Sequence, residues 1–172
     1  MADKIKFSWT AEQSSIQNAA EALPLLAAAF FAQGRTLTAQ AAPEALHAFR
    51  IQTKRFRDTL ELFQPCYSRR LERLLKLLRE LQQTLGELND LAATRRLLVD
   101  RGLEKSGQNL CDKLDARIAE KTDQFFSVWR EPFAGEDEAL RWVNYLATGM
   151  FRPTRPVHKT GRPSVKSRLA TV

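Results

Sequence analysis

Cysteine and histidine are nearly missing: the 172 residues hold only Cys66, Cys111, His47 and His158. The cysteines form no CxxC pair, and so few ligands exclude both a disulfide framework and a cysteine/histidine zinc site. There is no glycine-rich phosphate loop and no cluster of metal-binding carboxylates, which argues against a triphosphatase or a kinase. No catalytic residue, no metal and no cofactor is therefore expected. Long apolar runs are missing as well. The longest, 22–32, contains Pro24 and is far too short to cross a bilayer. The opening Met-Ala-Asp-Lys-Ile-Lys-Phe lacks the layout of a secretory signal. A cytoplasmic protein without a membrane partner is expected. Alternating strand patterns and Asn-Gly hairpin signals do not occur.

What is present is a helical, basic chain. Hydrophobic residues make up 44% and charged residues 27%, as in a globular domain with a real core. The formal net charge is +7, but it is unevenly placed. Six of the 27 basic residues (Arg152, Arg155, Lys159, Arg162, Lys166 and Arg168) and none of the 20 acidic ones lie beyond residue 148. Residues 1–148 are thus nearly neutral, and any basic face on them is a matter of arrangement. Residues 149–172, rich in Pro, Gly, Ser and Thr, read as a basic, disordered tail. Such a tail binds any polyanion weakly and does not identify one.

The spacing predicts an all-α, up-and-down bundle of about four to six helices over 1–148, with a basic groove or pore. A first helix is expected over 11–33, capped by Thr10 and stopped by Gly34. A second begins near Pro43, a favoured first-turn residue, and ends before Pro65. A third carries the seam Leu71, Leu74, Leu75, Leu78, Leu81, Leu85 and Leu88 and stops at Gly102. Gly86 inside it implies a close helix contact or a kink, so one bent helix and two helices both remain open. Two more are expected, over 107–130, ended by Pro132, and over 136–148.

The second helix carries two stripes. Leu46, Phe49, Phe56, Leu60 and Phe63 repeat at helical spacing and form an apolar face. Beside it run His47, Arg50, Lys54 and Arg57, within roughly 80° of one another on the helical wheel. A basic row at the edge of a core points along a groove wall, where a polyanion can lie. Glu61 projects onto the same sector and dilutes it at its C-terminal end. On the third helix Arg69, Arg73 and Lys76 cluster opposite the leucine seam, while Arg70 and Arg79 flank it. Arg95 and Arg96 are secondary candidates, and Asp90 is a candidate structural brace for a stripe arginine.

The segment Leu46-His47-Ala-Phe-Arg50-Ile51-Gln-Thr-Lys54-Arg55-Phe56-Arg57, followed by Leu62-Phe63, resembles the signature of CHAD domains, the conserved histidine α-helical domains. Leu85-Gly86-Glu-Leu-Asn-Asp90-Leu, followed by Arg95-Arg96-Leu97-Leu98, is similar to that family's second motif. The resemblance covers about 43–100 directly. It implies a non-enzymatic helical module whose basic helices line a pore or groove that binds inorganic polyphosphate. It also implies association with polyphosphate granules, and in some members fusion to triphosphatase domains of the CYTH type. By position the family's histidine is His47, its basic row is Arg50, Lys54, Arg55 and Arg57, and its motif-two aspartate is Asp90.

The chain departs from the family in one respect. Typical members hold two related bundles, and this chain has room for about one. No second His-x-x-Arg-x-x-x-Lys-Arg motif is present, and His158 lacks that context. Two chains pair as a homodimer to rebuild the pore, or the site is an open groove, or the activity is lost. Polyphosphate is a dense row of charges, matched by arginine forks and lysine point charges set in a row. Nucleic acid is the competing polyanion, and single strands are commonly held by base stacking. Here Phe49, Phe56 and Phe63 fall on the apolar face and read as core. Deleting 149–172 separates a polyphosphate module from a nucleic-acid binder whose tail supplies the affinity.

Overall fold

A computed structural model describes residues 10–150. Five helices form the bundle: α1 (Ser15–Arg35), α2 (Pro43–Leu62), α3 (Arg69–Asp100), α4 (Gln108–Phe133) and α5 (Glu138–Thr148). A short 3-10 turn, Gln64–Cys66, joins α2 to α3. Tyr67 and Met150 form an isolated antiparallel bridge that ties the start of α3 to the end of α5. Apart from Gly149 and Met150, the basic tail lies outside the described residues.

Three of the expected helix ends moved. The first helix begins not at Ala11 but at Ser15, with Ser14 as its cap. Ser14 Oγ accepts from the Gln17 backbone, and the Gln17 side chain accepts from the Ser14 backbone, a reciprocal capping box. Thr10 instead belongs to a preceding turn that the buried Asn18 amide pins through the Thr10 and Gln13 carbonyls. Gly34 does not stop α1; it lies buried inside the last turn, against Trp129. Pro132 likewise fails to end α4, which continues to Phe133. Phe133 is fully buried against Phe30, Phe31 and Trp129, so tertiary packing holds the final turn in place.

The core is aromatic where α1, α2 and α4 meet and leucine-rich along α3. Phe30 is its centre, in ring contact with Phe31, Phe49, Phe56, Trp129 and Phe133. Each fully buried ring of this kind contributes about 1.5–3 kcal/mol relative to exposure. The apolar stripe read on α2 is buried along its whole length, from Leu46 to Phe63. The α3 seam is buried from Leu71 to Leu88.

Helix α3 is one continuous helix of 32 residues, about 48 Å long at 1.5 Å per residue. It passes through Gly86 without interruption. It runs antiparallel to α2: Glu44 pairs with Arg96, His47 with Asn89, and Glu61 with Arg79. It also runs antiparallel to α4, through Arg95–Asp115 and Glu87–Lys121. α5 packs mainly on α1. Among the described residues no helix is long and apolar enough to cross a membrane.

Candidate polyanion site on the second helix

The α2 row faces α3. Residues Arg79, Gln82, Gly86, Asn89 and Arg96 recur at helical spacing, so they form one stripe on the α3 side of the interface. Three of the four row positions meet that stripe or its partner. His47 Nδ1 lies 2.6 Å from Asn89 Oδ1. Arg50 lies over Gly86, where a Cβ would stand 3.9 Å from Arg50 Nε. Arg57 approaches Glu61, which Arg79 holds from α3 at 2.9 Å. Lys54 is exposed. The glycine that the sequence left as a contact or a kink is thus a contact: α3 runs straight through it and Arg50 lies against it, with space left for a methyl group.

The cations of the site differ in what answers their charge. Among the described residues Arg50 and Lys54 have no carboxylate partner. Arg50 Nε is buried and without a hydrogen-bond acceptor, and the side-chain Oε1 of Gln82, one turn before Gly86, is buried and without a donor. Arg57 donates to Asp58 Oδ1 at 2.6 Å. Arg96 is paired with Glu44. Arg95 donates to Glu104 at 3.1 Å and to Asp115 at 3.0 Å. Those hydrogen bonds, Glu104 first, push the Arg95 pKa above its ordinary value. Arg95 and Arg96 therefore staple α3 to its neighbours rather than stand open.

Other sequence candidates lie apart from this row. Arg69, Arg73 and Lys76 are exposed, about 150° around α3 from the stripe that meets α2. Arg55 is exposed and sits about 100° around α2 from Lys54. Arg70 reaches α5, its guanidinium 4.8 Å from the Tyr145 ring centre and 5.7 Å from that of Trp142. Asp90 forms no ion pair among the described residues; its carboxylate takes only the Asn89 amide, at 3.4 Å. The residue that holds the row from α3 is its neighbour Asn89, three positions after Gly86 on the same face. That i, i+3 relation was the signal available in the sequence.

Beside the row a cleft of about 1050 Å³ opens between the start of α2, the second half of α3 and α4. Leu46, Leu85, Leu88, Val99 and Ile118 line it, together with His47, the first residue of the row, and its partner Asn89. Near the α3–α4 turn Leu97, Val99, Leu103 and Leu110 are each 45–53% exposed.

A family model, the CHAD domain, matches residues 5–99. No curated protein and no solved structure matches the chain. The matched span includes α1, α2 and nearly all of α3, and so both sides of the interface that carries His47, Arg50 and Asn89. By this match over more than half its length, the chain belongs to the CHAD domain family.

Proposed function

We propose that this protein binds inorganic polyphosphate along α2 without turning it over. His47, Arg50 and Lys54 would contact successive phosphates, with Arg57 at the end of the row. The observation that carries the reading is that, among the described residues, Arg50 and Lys54 lack any carboxylate partner, whereas Arg57, Arg79, Arg95 and Arg96 are all paired. A row of unanswered cations beside a packed interface binds a dense anion with little reorganisation. Arg55, Arg69, Arg73 and Lys76 face other directions and would add only long-range attraction, screened beyond about 8–10 Å at ordinary salt. The resemblance implies residence at polyphosphate granules, and that belongs to the same proposal.

A homodimer is part of the proposal. The half-exposed leucines and valine at the α3–α4 turn offer an apolar surface for a second copy. Pairing there would supply a second basic row.

The test measures full-chain affinity for long-chain polyphosphate and for single-stranded DNA at near-physiological salt. The control carries Arg50→Glu and Lys54→Glu. Tight polyphosphate binding that the control loses supports the reading. Equal binding of both polymers, unchanged in the control, overturns it and favours a nucleic-acid binder that relies on the six tail cations. Phosphate release on incubation with metal and polyphosphate would overturn the non-enzymatic part.

A further inference from the structure

Glu61 stands one turn after Arg57, at the C-terminal end of the row. Its Oε1 accepts from Arg79 Nη2 at 2.9 Å and from Arg79 Nε at 3.2 Å. The same oxygen lies 3.7 Å from Arg57 Nε. Arg57 also donates to Asp58 Oδ1, from Nε at 3.2 Å and from Nη2 at 2.6 Å. Both arginines thus turn their forks onto carboxylates of the chain itself. Arg50 and Lys54, on the preceding turns, have no such partner among the described residues. The row is divided into an open half and a half whose charge is already answered.

A carboxylate between two guanidinium groups presents what a phosphate presents: negative oxygens that accept charge-assisted hydrogen bonds. Being tethered, it competes at an effective concentration of about millimolar or above. The Glu61 side chain is 34% exposed, so the arginines it holds sit at the surface, within reach of a ligand. A polyanion lying along α2 meets this internal anion directly after Lys54.

We infer that Glu61 is a built-in competing anion that ends the polyphosphate track, holding Arg79 out of it, while Asp58 answers the neighbouring Arg57. The inference rests on the polyphosphate reading above and adds where the bound polymer stops.

The experiment compares the full chain with Glu61→Gln, which keeps the side-chain shape and removes the charge. Polyphosphate affinity is measured at several salt concentrations, with circular dichroism as a check on folding. Releasing Arg79, with Arg57 still held by Asp58, is expected to tighten binding several-fold. The log–log salt slope should steepen by about 0.7, the value per phosphate neutralised on a flexible strand. Arg79→Ala added to Glu61→Gln should give back both changes. Unchanged affinity and slope would overturn the inference. Weaker binding would overturn it too, and would make Glu61 a brace that aims the arginines at the ligand. If neither protein binds polyphosphate, the underlying reading falls with it. If wild type binds and Arg50→Glu/Lys54→Glu does not, while Glu61→Gln changes nothing, only the inference about Glu61 is lost.

Discussion

His47 Nδ1 and Asn89 Oδ1 lie 2.6 Å apart, a polar link between α2 and the second family motif on α3. An amide oxygen only accepts, so Nδ1 carries the hydrogen. The Asn89 amide nitrogen faces Asp90 Oδ1 at 3.4 Å, which sets the amide's orientation. Nε2 is the ring nitrogen left for a ligand, on an exposed side chain at the head of the row. A phosphate there is held best by the doubly protonated ring, whose two nitrogens both donate. Polyphosphate binding is therefore expected to take up protons at this ring. Calorimetry in two buffers of different ionisation enthalpy reads the uptake, and His47→Gln should abolish it. Binding without proton uptake would show that Nε2 does not touch phosphate.

The two helical glycines should respond in opposite directions. A Cβ on Gly34 would stand 2.2 Å from Trp129 Cη2, and that ring is wedged among Phe30, Phe31, Phe49 and Phe133. Gly34→Ala is expected to cost about 1–3 kcal/mol as overpacking, seen as a lower melting temperature. A Cβ on Gly86 meets only Arg50 Nε, at 3.9 Å. Gly86→Ala should therefore gain about 0.5–1 kcal/mol from helix propensity and keep polyphosphate affinity. A destabilised Gly86→Ala variant would mean that α3 needs the glycine for its backbone.

Tyr67 supplies a pH-dependent contribution to stability. Its hydroxyl donates to the Leu146 carbonyl at 2.6 Å, joining the start of α3 to α5. Burial first, and the neighbouring Tyr145 second, raise its phenol well above the ordinary value of about 10. A raised value means the stabilisation is complete below the ordinary phenol range and is lost progressively as pH climbs above it. Tyr67→Phe should cost about 1 kcal/mol near neutrality. It should also flatten the alkaline fall in stability, measured by urea unfolding at several pH values. An alkaline profile identical to wild type would assign the fall to other groups.

The apolar turn between α3 and α4 predicts the assembly state. Light scattering at micromolar concentration should give twice the chain mass for wild type. Leu97→Glu with Val99→Glu should give a monomer with unchanged circular dichroism. A wild-type monomer removes the dimer, and polyphosphate would then lie in an open groove on one chain.

Much of the helical layout follows from local pattern. The α2 stripe of Leu46, Phe49, Phe56, Leu60 and Phe63 is apolar at the helical period, and all five side chains are buried. Pro43 starts that helix and Gly102 follows the end of α3, at a φ of +63° that side chains rarely adopt. Gly34 and Pro132 misled because a terminator is only a local bias. Trp129 and Phe133, brought in from far along the chain, supply packing that outweighs it. The Ser14–Gln17 capping box was a local signal and was readable; Thr10 took its place because both residues are good caps.

The sequence by itself determined that this chain is helical, where its core stripes run, which family it resembles, and that a basic row borders the core of α2. Period and residue type are local properties, and they suffice for that. Only the tertiary structure decided which of those cations remain open. Leucine and phenylalanine packing sets the register of α2 on α3, and that register places Asn89 on His47, Gly86 beneath Arg50, and Arg79 on Glu61. The charges of Arg69, Arg73 and Lys76 look equivalent in one dimension, yet they face away from α2. No spacing rule within one helix says which carboxylate on another will answer its arginines.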